Sequence, residues 1–353
     1  MINDKNQKQE GGDNSTNLQA HVINLNQGIT YQDAKEIATD VFKSNFIELS
    51  QVAADIAFKR VEEFNDKFLE KLQSERPNAI SNFTKPSLQY ALYSAQKEHA
   101  KSGEKFLMDN LINILSELTE EDERTLKYIV LEQSLLTAPK LTKIQTDILT
   151  VVFLLREAPF LGLNTLKLFD SYIQHYIQPF TENFSSKSAI YQHLIYTGCC
   201  DSTQFIGKRS LTYRLSDMYN GIFQKGFSKQ EFLDKFEEET LFNLACINSL
   251  HSKELFQINP DIQYQRNTSL ISNISNNQLI ELRKMMKVNM MDENEMENFL
   301  FNRYPWMNEF SQKWNNHNVN SINLTSVGYS IAIANFKLKT KMKLNLSQWV
   351  SEV

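Results

Sequence analysis

The sequence predicts a mainly α protein, built of multi-helix bundle domains with a short N-terminal β segment and a small C-terminal winged-helix-like unit. Three observations lead to this prediction. Apolar residues recur every three or four positions over long stretches, the period of an amphipathic helix. Thr30 with Asp33, and Thr119 with Asp122, have the spacing of helix N-terminal caps. Only ten glycines and seven prolines interrupt 353 residues, as expected where helices dominate.

The segment that precedes the helices, residues 11–28, predicts one or two short strands. Leu18, Ala20 and Val22 alternate along it, and glycines bracket it at both ends. A lone strand has to pair, either within its own chain or with a copy. Its Asn, Gln, Ser and Thr side chains can stack as uncharged ladders when identical strands lie in register. Two interpretations stay open: a self-association strand, or a terminus that docks on its own domain.

A capped start at Thr30 and an apolar stripe that continues to Leu72 predict one continuous helix of about 60 Å. Such a rod packs lengthwise on other helices, either in its own chain or in a copy of it. The oligomerisation hypothesis combines this helix with the preceding strand. Its contact residues are Asn14, Asn17, Leu18, Gln19, Val22, Ile37, Val41, Phe46 and Ile56.

Sequence patterns further along the chain predict two more helices and a linker. A helix is predicted over residues 87–118, with a weak point at Ser102-Gly103. The most apolar helix is predicted over residues 142–156, at the centre of the core. An Asn-, Gln- and Ser-rich stretch without periodicity, residues 258–277, predicts a linker. The predicted domains are an N-terminal segment (1–29), a helical domain led by the long helix (30–162), a second helical region (163–275) and the C-terminal unit (276–353).

The C-terminal unit is predicted from an extended stretch, residues 319–324, followed by Leu-Thr-x-x-Gly and an apolar helix. This order resembles the wing-to-helix passage of winged-helix domains. The tail beyond it alternates apolar residues with Lys337, Lys339, Lys341 and Lys343, a period of two that suits a final strand as well as a helix end. On a strand these lysines would share one face at ~6.6 Å spacing, comparable to successive phosphates of a nucleic acid. The alternative is a lysine-rich edge that blocks unwanted strand pairing.

Composition restricts the classes of function. The net charge of −5 leaves no global basic field to attract nucleic acid or an anionic membrane, so any nucleic-acid site has to be local. Three cysteines, two of them adjacent, argue against a disulfide scaffold and for a reducing compartment. The charged start lacks the apolar region of a secretory signal, and no apolar run approaches the ~20 residues that cross a bilayer. We therefore expect a soluble cytoplasmic protein without a membrane span.

One group of residues is worth testing as an active site or metal site: His175, His193, Cys199, Cys200 and Asp201. His193 and Cys199 lie near a helix end, where the helix dipole disfavours a thiolate. Adjacent cysteines cannot easily both reach one tetrahedral zinc ion. Small buried cysteines at a tight corner are the simpler interpretation, with Gly198 as a helix C-terminal residue of positive φ. The sequence thus predicts no catalytic residue, metal or cofactor.

The residues GGDNSTNLQA…NQGITYQDAKEIATDVFKSNF at the start, YQHLIYTGC in the middle and LTSVGYSIAIANFKLKT…LSQWV at the end resemble an uncharacterised family of bacterial cytoplasmic proteins. Similar openings occur in bacterial antiphage and abortive-infection proteins, where Asn/Gln-rich strands have been proposed to assemble signalling complexes. The resemblance implies no catalytic residue. This chain departs from the usual glycine-rich opening at His21-Val22-Ile23.

Three hypotheses of function follow. The first is a non-enzymatic oligomerising or interaction module of a bacterial defence system, whose partners are copies of itself and a protein of the same operon. The second is a nucleic-acid-binding protein that uses the four C-terminal lysines. The third is an enzyme or metal protein built around His193, Cys199 and Cys200.

Overall fold

The computed structural model describes residues 29–45, 50–121, 123–202, 209–264 and 272–351. The predicted N-terminal β segment, with Asn14, Asn17, Leu18, Gln19 and Val22, lies outside these ranges, and so does Phe46. Within them the chain is mainly helical, which confirms the predicted fold class. No helix in these ranges is both long and apolar enough to cross a membrane.

The helices of the described ranges are α1 (Tyr31–Asn45), α2 (Gln51–Glu75), α3 (Pro86–Ser102), α4 (Lys105–Leu118), α5 (Leu126–Thr137), α6 (Lys143–Arg156), α7 (Leu166–Tyr172), α8 (Ser188–Tyr196), α9 (Leu211–Met218), α10 (Lys229–Phe236), α11 (Glu239–Ala245), α12 (Asp261–Tyr264), α13 (Asn276–Val288), α14 (Glu293–Arg303), α15 (Trp306–Trp314), α16 (His317–Asn320) and α17 (Ser326–Thr340). The strands are β1 (Cys200–Ser202), β2 (Cys246–Asn248), β3 (Phe256–Ile258) and β4 (Ile322–Leu324). Each strand has one antiparallel partner: β1 pairs with β4, and β2 pairs with β3.

The predicted 60 Å rod is wrong, because α1 and α2 are separate helices that pack against each other and against α3. Lys35 of α1 and Asp66 of α2 form an ion pair with the Nζ–Oδ1 distance at 2.5 Å. In one continuous helix these residues would lie about 46 Å apart. The apolar stripe continues through both helices because most of its side chains, on α1 and on α2, face the interior of the same bundle.

The predicted weak point between α3 and α4 is confirmed. Gly103 adopts a left-handed conformation with φ of 67°, and its N–H donates to the His99 carbonyl oxygen at 2.8 Å. Glycine reaches this conformation without the steric cost that a Cβ atom adds. The Arg60 guanidinium packs directly over this glycine, within 2.6 Å of the position that a Cβ would occupy.

Helix α6 lies at the centre of the core, as predicted. Its start is a capping box: the Gln145 N–H donates to Thr142 Oγ1, and the Thr142 N–H donates to Gln145 Oε1. Every residue from Gln145 to Leu155 is buried. A helix that is covered on all sides needs neighbours on all sides, and α17 is a major one.

The predicted C-terminal winged-helix-like unit is also wrong, although the order of a strand, a cap and an apolar helix is correct. Helix α17 packs on α6 and also on α4 and α5, so it belongs to the core of the earlier helices. Strand β4 pairs with β1, about 120 residues earlier, with Cys200 opposite Leu324. The reason is that every residue of α17 from Ser330 to Lys337 is buried, and only a surrounding bundle can cover a helix on all of its faces. The predicted boundaries after residues 162 and 275 stay predictions.

Buried polar side chains fix how α17 lies on α6. Asn335 Nδ2 donates to Asp147 Oδ1 at 2.9 Å and to Thr150 Oγ1 at 2.8 Å. Lys339 Nζ lies 2.6 Å from the same Asp147 oxygen. A shift of α17 by one residue would leave these buried groups without partners, which costs about 1–3 kcal/mol for each group.

A second, smaller hydrophobic cluster forms between residues 227 and 286. The strands β2 and β3 pair beside it, and α10 to α13 contribute its side chains. Ile258 and Ile262 are fully buried there, so the predicted linker begins inside a core. The sequence prediction failed because this stretch has too few apolar residues to show a period.

Candidate functional site

The histidines and cysteines do not form a reactive centre in the described part of the chain. His193 Nδ1 lies 2.9 Å from Gln145 Nε2, whereas His175 Nδ1 lies 3.0 Å from the Ser171 carbonyl oxygen of its own helical turn. Cys199 and Cys200 are free thiols and are buried. Burial raises the pKa of both thiols, which favours the unreactive neutral form. No group of three or more metal-ligating side chains gathers in the described ranges.

The four C-terminal lysines do not line up along a strand. Lys337 and Lys339 belong to helix α17, Lys341 is its left-handed C-terminal residue with φ of 62°, and Lys343 follows. Lys337 Nζ lies 2.9 Å from Glu75 Oε2, and Lys339 Nζ pairs with Asp147. The premise of an exposed row of lysines at phosphate spacing is therefore wrong.

Three of these lysines instead meet α2 in a cleft of about 380 Å³, which we call the lysine cleft. It lies between the C-terminal half of α2, helix α4 and the end of α17. Its cationic side chains are Lys67, Lys71, Lys337, Lys341 and Lys343. Its carboxylates are Glu70, Glu75 and Asp109.

Glu75 is the centre of the lysine cleft, because three ammonium groups converge on its carboxylate. Lys71 Nζ lies 2.9 Å from Oε1, while Lys337 Nζ at 2.9 Å and Lys343 Nζ at 3.2 Å share Oε2. Burial opposes ionisation of Glu75, but the hydrogen bonds from Lys337 and Lys71 outweigh it and lower its pKa to about 2. Burial also lowers the pKa of Lys71, and repulsion from the Lys337 ammonium adds to that effect.

Replacing Glu75 by glutamine is expected to destabilise the protein by about 1–3 kcal/mol at pH 7, because the remaining ammonium groups then repel each other. The folded pKa of Glu75 lies below the ordinary unfolded value. Its contribution is therefore complete above about pH 5 and is lost as the pH falls from about 4.5 towards 2. Urea unfolding of wild type and Glu75→Gln at pH 7 and pH 3 measures both effects.

A matched control for Glu75→Gln is Glu309→Gln. Glu309 forms an ion pair with Lys313, with the Nζ–Oε1 distance at 2.7 Å, but its side chain is 77% exposed. This exposed pair should contribute little to the free energy of unfolding, because water screens it. A difference between wild type and Glu75→Gln that is as large at pH 3 as at pH 7 would contradict the assignment.

The predicted oligomerisation stripe on α1 and α2 is mostly used inside the subunit. Phe64, Phe68 and Leu72 are fully buried, and Ile37 packs partly buried against the same core. Val41 is also partly buried.

The exception is the start of α2, where Val52 is 71% exposed and Ile56 is 49% exposed. These two side chains lie one turn apart on one face of the helix. We call them the α2 apolar face.

The residues that sequence reasoning missed are Lys67, Lys71 and Glu75. Their spacing of four residues places them on one face of α2, which the sequence alone makes look like an ordinary solvated face. The cleft forms only where the end of α17 packs beside these residues. Lys337 and Glu75, which form a hydrogen bond there, are 262 positions apart in the chain. No local pattern could reveal it.

Comparison with known proteins identifies a family for this chain. The model of an uncharacterised family matches residues 28–350, which is most of the chain. No curated protein and no solved structure matches.

Proposed function

Since the chain belongs to the uncharacterised family whose model covers residues 28–350, we propose its function from its own surface: a non-enzymatic interaction module that self-associates through the α2 apolar face. The observation that carries the proposal is the exposure of Val52 and Ile56 at the start of a helix whose other apolar residues face the interior. Burying such side chains against a second copy gains about 1 kcal/mol or more for each of them.

The charges around the α2 apolar face favour a second copy of this chain as the partner. Asp55 and Lys59 are exposed on α2, one turn apart beside Ile56. If two α2 helices pair antiparallel about a two-fold axis level with Ala57, each Asp55 lies opposite the partner's Lys59, the two Ile56 side chains meet near the axis, and Val52 lies at the edge of the contact. A two-fold interface requires this kind of self-complementarity.

The wider role in this proposal is assembly within a bacterial antiphage or abortive-infection system, and a protein of the same operon would be a further partner. This part rests on the resemblance of the opening residues to proteins of such systems. The strand predicted over residues 11–28 would add a second self-association element. Leu18→Asp in the full chain tests that element separately from the α2 apolar face.

The experiment is multi-angle light scattering of the full chain and of the double variant Val52→Asp/Ile56→Asp. We expect wild type to show a mass above that of one chain at high protein concentration, and the double variant to show the mass of one chain. The free energy of unfolding at low concentration should change by less than about 0.5 kcal/mol, because both side chains are exposed within the subunit.

The control is Val288→Asp, since Val288 is 79% exposed at the end of α13, away from α2. This variant should keep the mass of wild type. A wild type that stays monomeric at every concentration would refute self-association. Equal masses for wild type and the double variant, both above one chain, would place the interface elsewhere.

A further inference from the structure

We propose that the lysine cleft binds a small phosphate-bearing ligand. Five lysines and three carboxylates line the cleft, and Lys67 is already paired with Glu63 at 2.9 Å, so four lysines remain against three carboxylates. Three of the ammonium groups share the single carboxylate of Glu75, and each ammonium carries three N–H donors. These donors exceed what two carboxylate oxygens can accept. A second anion in the cleft would take the donors that remain and relieve the repulsion among the lysines.

The other carboxylates near the cleft do not supply that second anion to Lys337. Glu117 Oε1 is 3.8 Å from Lys337 Nζ, but the same oxygen accepts from Arg76 Nη2 at 2.7 Å. Glu70 and Asp109 line the cleft from α2 and α4, but among the described residues neither forms an ion pair with Lys337, Lys341 or Lys343. The cationic end of the cleft is therefore where α17 ends.

The size and lining of the cleft indicate a small molecule. Its volume of about 380 Å³ falls within the range of about 300–1,000 Å³ that is typical of small-molecule sites. Ile112 and Leu338 supply apolar surface beside the lysines, which suits an organic group attached to a phosphate. Lys341 and Lys343 are exposed just beyond the end of α17, so their side chains can turn to a ligand without disturbing the buried core. A nucleic-acid backbone would need a row of cations along an open groove, and Lys339 is turned to Asp147 instead.

This site is independent of the proposed self-association. The α2 apolar face occupies the first turns of α2, whereas the lysine cleft begins at Lys67, about 16 Å further along the helix axis. Failure of one proposal therefore leaves the other standing.

The test is isothermal titration of the full chain with inorganic pyrophosphate and, separately, with ATP, at constant ionic strength adjusted with sodium chloride. We expect both to bind. The double variant Lys341→Gln/Lys343→Gln should bind at least fivefold more weakly, because each lost charge removes a contact to the phosphate. A much tighter dissociation constant for ATP than for pyrophosphate would assign an organic phosphate, and equal constants would assign the phosphate group alone.

The control variant is Lys313→Gln, which removes one surface lysine on α15 that pairs with Glu309. It should bind like wild type. The absence of pyrophosphate and ATP binding above the chloride background would overturn the proposal. Equal affinity in wild type and the double variant would overturn it too. Binding of a single-stranded oligonucleotide that neither phosphate displaces would show that the lysines serve a nucleic acid instead.

Discussion

Replacing Gly328 by alanine is expected to destabilise the protein by about 2–4 kcal/mol, although alanine is the better helix former by about 1 kcal/mol. Gly328 lies in the first turn of α17, where the backbone of residue 199 passes directly over it. A Cβ atom on Gly328 would lie 2.2 Å from the Cys199 carbonyl oxygen and 3.2 Å from its carbonyl carbon. Contacts of that length are strongly repulsive, so one of the two segments has to move.

Neither segment can move freely, because several hydrogen bonds hold them together. The Thr325 N–H donates to the Cys199 carbonyl oxygen at 3.0 Å, and Thr325 Oγ1 donates to the Gly198 carbonyl oxygen at 2.6 Å. The pairing of β1 with β4 continues the same contact. Alanine at position 328 therefore pushes the start of α17 away from residues 198 and 199, to which these hydrogen bonds hold it.

Urea unfolding of Gly328→Ala, with Ser326→Ala as the control in the same helical turn, measures this effect. Ser326 is only partly buried, and its substitution should change the free energy of unfolding by less than about 1 kcal/mol. If Gly328→Ala is as stable as Ser326→Ala, the helix and the β1 strand do not approach as closely as the structure shows.

Local signals predicted the parts of this fold that depend on neighbouring residues. The mainly α class, the break at Gly103, the left-handed conformation of Gly198 and the central position of α6 follow from caps, breakers and apolar composition. Each of these features is decided within a few residues of the chain, where propensity and capping act.

Features that depend on distant contacts were not predictable in the same way. The stripe on α1 and α2 has one period whether the helices are continuous or folded back, so the sequence could not show the break between them. Helix α17 carries apolar residues on every face, which removes the helical period and left an apparent period of two in its lysine-rich end.

The residues of the lysine cleft could likewise be predicted only in part from the sequence. The sequence directed attention to Lys337, Lys341 and Lys343, which do line the cleft. It could not supply Lys71 and Glu75, because their role depends on packing between α2 and the end of α17. A carboxylate with three lysines around it is a property of the assembled core.

Replacing Arg156 by methionine is expected to destabilise the protein by about 3–5 kcal/mol, at least as much as Gly328→Ala. Arg156 ends α6, and its guanidinium is directed into the core towards α16 and β4. Nη1 donates to the Ile322 carbonyl oxygen at 2.7 Å, and Nη2 donates to the Val319 carbonyl oxygen at 2.8 Å. The guanidinium carbon also lies 5.2 Å from the centre of the Trp314 ring, within the range of a cation–π contact.

The cost arises because both carbonyl oxygens belong to fully buried residues. Methionine fills much of the space of arginine, but it donates no hydrogen bond, so the Val319 and Ile322 oxygens lose their partner. An unsatisfied buried acceptor costs about 1–3 kcal/mol, and the lost cation–π contact adds to that. Burial lowers the pKa of Arg156 to about 10, which still leaves the group protonated at neutral pH. The loss should therefore be the same from pH 6 to pH 8.

Urea unfolding followed by tryptophan fluorescence tests this prediction, with Arg209→Met as the matched control. Arg209 also lies over an aromatic ring, that of Tyr213 at 5.0 Å, but its side chain is 44% exposed. That control should lose less than about 1 kcal/mol, because water replaces its contacts. Arg156→Lys should fall between the two, since one ammonium cannot span two carbonyl groups as the planar guanidinium does. A loss below about 1 kcal/mol in Arg156→Met would mean that the two carbonyl oxygens find other donors, and that Arg156 does not fasten α16 and β4 to the core.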